Sequence, residues 1–299
     1  MHGLSFAWLE ITGKCQLQCD HCYAESGPRG TDGAMTVEDW SSVMDQVAGL
    51  GARMVQFIGG EPTLHRGLPE LVGQALSCGL QVEVFSNLVH VSPKLWDVFV
   101  QPGVRLATSY YTDCADQHES ITQGRGSYAR TKANIAEAVR RAVPLRVGVI
   151  DVHDEQRVDQ ARTELADLGV DEVRVDHLRQ VGRGVRDQQP DLSQLCGHCD
   201  RGTIAIAADG AVWPCVFSRW LPVGNVRSDA LTEIMSGPRM VETTTMLRQH
   251  FSSRRRRGGR EAPCDPQCGP NCGPACNPSC WPTGTGPCGP KGGCQPNYD

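Results

Sequence analysis

The sequence predicts an α/β protein, a partial parallel (β/α)6 barrel followed by a cysteine-rich C-terminal extension, and three observations carry that prediction. Between residues 4 and 176, apolar stretches of strand length alternate with segments of helical period. Such alternation implies a parallel sheet with helices outside, as a partial barrel or a doubly wound sheet. The polar and glycine-rich residues of this region fall just after the strand-length stretches, where both architectures collect ligand chemistry. From Cys264 onward the chain turns to glycine, proline, asparagine and cysteine with almost no aliphatic residues, and something other than an apolar core must order it.

The elements follow in order. Phe6 to Ile11 reads as the first strand and ends just before a cysteine-bearing loop. Thr36 to Leu50 places Val37, Trp40, Val43, Met44, Val47 and Leu50 on one helical face, with Thr36 as N-cap and Gly51 as stop. Met54 to Ile58 and Gln81 to Phe85 are strands around a helix over Leu68 to Cys78, and Ser92-Pro93 opens a short helix through Val100. Val104 to Ser109, a helix near Tyr128 to Ala142, Leu145 to Asp151, a helix near Gln156 to Leu168, and Glu172 to Asp176 complete six strands with five intervening helices. After Gly182-Arg183-Gly184 the pattern changes: Thr203 to Ala207 and Ala211 to Phe217 flank the hairpin signal Asp209-Gly210. Short helices are expected around Ala230 to Met235 and after Pro238. Two domains are expected, residues 1–187 and 188–299.

Composition narrows the function. The 299 residues carry a formal charge of −5 with acidic and basic groups mixed, so no global field favours nucleic acid or a membrane surface. The one basic run, Ser253 to Arg260, lies beside glycines and reads as a solvated, mobile linker. No apolar run approaches the roughly 20 residues that cross a bilayer, and the N-terminus lacks a signal peptide's basic flank and cleavage site, so a cytoplasmic protein is expected. Fifteen cysteines in such a chain point to metal or iron-sulfur ligation rather than disulfides.

The cysteines are clustered: Cys15, Cys19 and Cys22; Cys196, Cys199 and Cys215; and Cys264, Cys268, Cys272, Cys276, Cys280, Cys288 and Cys294. Three thiolates from one short loop can wrap only part of a 4Fe-4S cluster and leave one iron open. The competing reading is a zinc knuckle with His21 or a distant residue as fourth ligand.

The CxxxCxxC spacing directly after a first strand, followed one strand later by Gly59-Gly60-Glu61-Pro62, resembles the radical S-adenosylmethionine (SAM) superfamily over about residues 4–184. The resemblance implies a 4Fe-4S cluster on Cys15, Cys19 and Cys22 whose open iron is chelated by SAM, and one-electron cleavage to a 5'-deoxyadenosyl radical that abstracts a substrate hydrogen. Gly59 and Gly60 would let backbone approach the ligand, Glu61 would face the SAM ammonium, and Pro62 would stiffen the turn. It further implies SAM contacts at Ser86, Asn87, Ser109 and Tyr23, with Val149 and Val175 to His177 near ribose and adenine. The chain departs from the usual pattern in having Ser86-Asn87-Leu88 for a TNG-like triplet and Ser109 to Asp113 for a SLDG-like stretch.

Cys199, ten residues, Gly210, four residues and Cys215 resemble the opening of the SPASM extension, which implies auxiliary 4Fe-4S clusters, one or two here. Cys196, Cys199 and Cys215 then need one partner from the tail, and the other tail cysteines suffice for a second cluster; a metallothionein-like or zinc-bound tail is the alternative. Relatives with this layout mostly modify peptides, so a ribosomally made peptide is the expected substrate, undergoing crosslinking, epimerisation or oxidation. Because the chain begins almost at strand one, a separate leader-recognition protein is expected, as is an electron donor such as flavodoxin or ferredoxin. Small-molecule dehydrogenation and a non-catalytic iron-sulfur or metal-storage protein are the rival functions. Cys114, after strand four, is a candidate hydrogen donor in catalysis, and Asp113, Asp176 and Arg179 are candidate substrate contacts. Cys78 is expected to be a small buried apolar residue.

Overall fold

The structure is a computed structural model that describes residues 3–187 and 189–256. The seven tail cysteines from Cys264 to Cys294, and the end of the arginine run, lie outside the described residues. Strands β1 (Phe6–Thr12), β2 (Met54–Gly59), β3 (Gln81–Phe85), β4 (Val104–Tyr110), β5 (Leu145–Asp151) and β6 (Glu172–His177) pair in sequence order, all parallel. Helices α1 (Val37–Gly49), α2 (Leu68–Ser77), α3 (Pro93–Phe99), α4 (Ala115–Thr122), α5 (Ser127–Arg140) and α6 (Val158–Asp167) connect them. The barrel does not close: β6 is one edge of the sheet.

Local chemistry sets the helix ends. Thr36 accepts from the Asp39 amide while the Asp39 carboxylate accepts from the Thr36 amide, a capping box that starts α1. Ser92 accepts from Leu95, and Pro93 occupies the first turn of α3. Two helices, not one, join β4 to β5. The sequence reading missed α4 because its surface is polar; its buried residues are His118, Ile121 and Thr122.

The second cysteine region does not stand apart from the barrel. Strand β7 (Thr203–Ile206) pairs parallel with β1, and β8 (Ala211–Trp213) and β9 (Gly224–Asn225) follow antiparallel, giving one nine-stranded sheet. The hairpin forms as expected, with Gly210 at φ 85° in its turn. Helices α7 (Leu231–Ser236) and α8 (Pro238–Arg256) complete the described chain. Helix α8 corrects the expectation of a linker, since the basic run starts inside a helix.

The two sheet faces differ, as a pleat of period two requires. One face carries Leu9, Val55, Phe57, Val82, Val84, Leu106, Val147 and Val149 into the main core beneath the helices. The other holds a charged layer. Fully buried Glu83 accepts two hydrogen bonds from Arg146, at 2.8 and 2.7 Å, and contacts Arg105 at 2.9 Å and the Gln56 amide. Arg105 continues to Glu172 at 2.8 Å, so β2 to β6 are tied across the barrel interior. Burial raises the carboxyl pKa, but Arg146 and Arg105 outweigh it and hold Glu83 below its ordinary range.

Removing the anion takes both hydrogen bonds from the buried Arg146 fork and leaves Arg105 its ion pair with Glu172. Glu83→Gln is expected to destabilise the protein by ~3–5 kcal/mol, measured by urea unfolding followed by circular dichroism; a loss under about 1 kcal/mol shows that the layer is solvated.

Candidate functional site

The charged layer floors a cavity at the C-terminal ends of the strands. Phe85, Ser109 and Ile150 lie two or four residues beyond Glu83, Arg105 and Arg146 on the same pleat face, and all three line it. The cavity holds about 950 Å³ including its open mouth and receives Cys15, Cys19 and Cys22 together with Tyr23, Gly59, Gly60, Asn87 and Ser109.

The cysteine loop between β1 and α1 is shaped by bonds to its surroundings. The Cys15 amide donates to Gly27, Gln18 to Thr122 and Asp20 to Ile121, which ties the loop to the end of α4. The Gly60 amide donates to Thr12 and the Glu61 amide to Lys14, both at 2.7 Å. The two glycines are forced by this approach: a Cβ on Gly59, at φ 140°, would stand 2.3 Å from the Thr12 oxygen, and one on Gly60 2.1 Å from the Lys14 oxygen.

Glu61 differs from its expected role. It is completely buried and outside the cavity lining, with one carboxylate oxygen on Thr63 and the other accepting from the Asn87 amide at 2.7 Å. Burial raises its pKa. It therefore positions Asn87, whose amide nitrogen lies 3.6 Å from Cys15 Sγ and whose oxygen accepts from Gln16 at 3.0 Å. Pro62 opens a single turn of 3-10 helix over Pro62–Leu64, and Ser86 caps the Leu88 amide; neither lines the cavity.

Burial pushes the Cys15 thiol up to about 12 and Cys19 well above its ordinary value. Among the described residues no group of three or more His, Cys, Asp or Glu side chains is gathered to hold one metal ion. A cluster presents a separate iron to each thiolate, so the thiols need not converge on a point. His21, the zinc alternative's ligand, is instead engaged by Tyr111 at 3.2 Å and Asp20 at 3.4 Å. The donor set thus fits a cluster.

Other expected residues are displaced. Val149 faces the helix layer and its neighbour Ile150 lines the cavity, a one-residue shift that reverses the face. Of the β6 end, His177 reaches the cavity, while Asp176 is buried against Arg179 at 3.1 Å. Cys114 starts α4 and lies outside the lining, and Asp113 is held by Arg157 on the surface. Cys78 is half-buried, packs against the edge of the main core and donates from its thiol to Asp45 at 3.2 Å. Sequence reasoning missed Tyr111, His118, Arg183 and Phe217, all of which line the cavity. One of them had a signal: Arg183 sits between glycines.

A second thiol group lies behind the first. Cys196, Cys199 and Cys215 are buried, and Cys199 is within hydrogen-bonding reach of the other two. They share an apolar cluster with Tyr23, Val181, Leu195 and Phe217. Tyr23 packs edge-on against Phe217 at 5.2 Å, and Arg219 bridges to Glu10 on β1 at 2.7 Å.

Gly60→Ala is expected to displace Lys14 and the thiols after it, lowering reconstituted iron by about four atoms per chain, one 4Fe-4S cluster. Iron and sulfide analysis checks this, and an unchanged content shows that the loop tolerates the shift.

Comparison with known proteins agrees with this geometry. The sequence matches the radical SAM superfamily over residues 9–168 and an iron-sulfur cluster-binding domain, SPASM, over residues 196–273. It is 28% identical over 194 residues to the PqqA peptide cyclase of Xanthomonas campestris pv. campestris, covering 62% of this chain and 51% of that protein. It is 24% identical over 270 residues to the sporulation killing factor maturation protein SkfB of Bacillus subtilis, covering 78% and 65%. The chain thus spans about half the length of the curated cyclases it matches. The fold resembles Streptococcus suis SuiB bound to S-adenosylmethionine, with TM-score 0.68, 13% identity and coverage of 82% of this chain and 68% of that one. SuiB bound to its precursor peptide SuiA gives TM-score 0.69, 13% identity and coverage of 82% and 67%. The chain belongs to the radical SAM superfamily, whose domain binds a 4Fe-4S cluster and SAM, and it carries a SPASM domain for auxiliary iron-sulfur clusters.

Proposed function

We propose that this protein is a SAM-dependent radical enzyme that modifies a peptide. The observation that carries the reading is the convergence of three thiols, two close-packed glycines and the Glu61-held Asn87 at one strand-end cavity. The bound cluster and SAM would supply one-electron cleavage of the sulfonium, giving methionine and a 5'-deoxyadenosyl radical for hydrogen abstraction.

The chain's own residues bind, orient and exclude water. Cys15, Cys19 and Cys22 would hold the cluster through their thiolates. Gly59 and Gly60 line the cavity with backbone and let the strand end close onto Thr12 and Lys14, which sets the loop that carries the thiols. Ser109 offers a hydroxyl on the cavity wall, and Phe85, Ile150 and Phe217 keep that wall apolar, which shields a reactive radical from solvent. Cys196, Cys199 and Cys215 would take a fourth thiolate from among Cys264 to Cys294 to close an auxiliary cluster. Such a cluster can accept the electron left after hydrogen abstraction and make the reaction a net oxidation.

A peptide substrate is favoured by the relatives: a PqqA peptide cyclase, the SkfB maturation protein, and SuiB, solved with its precursor peptide. A leader-recognition protein and a flavodoxin-like or ferredoxin-like donor remain part of this proposal, as does the division at residues 187 and 188.

The full-length protein, reconstituted anaerobically with iron and sulfide, reduced with dithionite and given SAM, is expected to release 5'-deoxyadenosine. The Cys15→Ala, Cys19→Ala, Cys22→Ala triple variant should release none and lose about one cluster while keeping the others. Equal release from both proteins sinks the radical reading.

A further inference from the structure

The turn Gly182–Gly184 lies on the connection between β6 and the second cysteine group, yet it is wrapped around the first. Arg183 donates from Nε to the Cys19 carbonyl at 2.8 Å and from Nη2 to the Ser26 carbonyl at 2.7 Å. Its own amide donates to the Cys22 carbonyl at 3.0 Å. One residue thus donates to three carbonyls of a segment without helix or strand, adding to the loop's own turns, in which the Cys22 amide donates to Cys19 at 3.3 Å and the Glu25 amide to Cys22 at 3.2 Å.

The flanking glycines permit this contact. Gly182 has φ 57°, and a Cβ there would stand 2.4 Å from the Tyr23 oxygen and 2.6 Å from the Cys22 oxygen. A Cβ on Gly184 would stand 2.4 Å from the Arg179 oxygen. The turn fits the loop at this distance only without side chains on either side of the arginine.

Charge is the second observation. The cations around the cavity have carboxylate partners: Arg179 has Asp176 at 3.1 Å, Arg219 has Glu10 at 2.7 Å, Lys14 has Asp32 at 2.6 Å and Arg186 has Asp20 at 4.0 Å. Arg183 lines the same cavity as the three thiols but bonds only to carbonyls among the described residues. Three ligating thiolates would bring negative charge to this wall, and an unopposed guanidinium complements it.

We propose that Arg183 is a positioning residue for the first cluster, its fork holding the cysteine loop in shape and its uncompensated charge raising that cluster's reduction potential. The potential of an iron-sulfur cluster follows nearby charge and hydrogen bonding. The inference rests on the reading of Cys15, Cys19 and Cys22 as ligands.

Arg183→Lys and Arg183→Gln separate fork from charge, since an ammonium keeps the charge but cannot span two carbonyls as a planar guanidinium does. Hydrogen exchange is measured on the full-length protein before reconstitution, over residues 13–30, with β3 as internal control. Both variants are expected to exchange about tenfold faster in the loop, the loss of one charge-assisted hydrogen bond, with β3 unchanged. In the reconstituted protein, the midpoint potential of the cluster whose paramagnetic signal responds to SAM should fall in Arg183→Gln and stay near the original in Arg183→Lys.

Unchanged loop exchange in both variants overturns the proposal, as do equal falls in potential. Gly182→Ala pushes the turn away with the arginine intact and is expected to raise loop exchange in the same way, so the fork is tested even where a substitution at Arg183 fails to fold. Failure of the ligand reading shows separately, as full iron retention in the triple cysteine variant.

Discussion

The architecture of the site depends on one constraint: three thiols must be held on a segment with no regular secondary structure, in a wall too dry for stray polar groups. Its own turns pair some of the backbone, as Cys22 with Cys19 and Glu25 with Cys22, and the rest of the buried amides and carbonyls need partners from elsewhere. The partners come from different parts of the fold. Gly60 and Glu61, after β2, bond back to Thr12 and Lys14; the end of α4 accepts from Gln18 and Asp20; and Arg183 covers Cys19, Cys22 and Ser26. The loop has a defined shape because elements after β1, β2, β4 and β6 meet there, which only a parallel sheet with all its strand ends on one side provides.

The extension is joined by the same logic. In an open barrel β1 would be an unpaired edge, and β7 covers it. That pairing brings Cys196, Cys199 and Cys215 behind the first site, and the polar tie Glu10 to Arg219 fixes the seam within an otherwise apolar surround. Beyond it, the Ala208 carbonyl in the β7 to β8 turn accepts from Ala34 and Met35, so the far end of the cysteine loop is held by the extension as well. A Cβ on Gly33 would lie 2.2 Å from that oxygen.

The fold was legible in the sequence because its signals are local. The capping box at Thr36, Ser92-Pro93, Asp209-Gly210 and the apolar periods of β1 to β6 each announce an element within a few residues. That Cys15, Cys19, Cys22, Gly59 and Gly60 meet at one cavity was legible for the same reason. What failed is pleat direction and non-local partnership. Val149 and Ile150 are equally apolar, and which one faces the cavity is decided by β5's register with β4 and β6. Glu61 looks like a ligand carboxylate until Thr63 and Asn87 are seen to occupy it. Helix α4 was lost because a mostly polar octapeptide with one buried stripe has little period to detect.

The buried charges show why the site is built in two layers. Below, Glu83, Arg105 and Arg146 meet in a closed network, so a desolvated anion there is matched by two cations and five strands are held in register. Above, the three thiols line the cavity beside the Arg183 guanidinium, and burial raises the pKa of Cys15 and Cys19. The lower layer gains its balance from the chain itself, whereas the upper layer would gain further positive charge from a bound cluster. Cluster binding there would couple the order of the loop to its cofactor, as metal binding couples to folding in smaller sites. The elements that hold the loop from outside, Arg183, Gly60, Glu61 and the end of α4, act together with the loop's own turns and the Asn87 contact to Cys15, and none of these contacts requires iron.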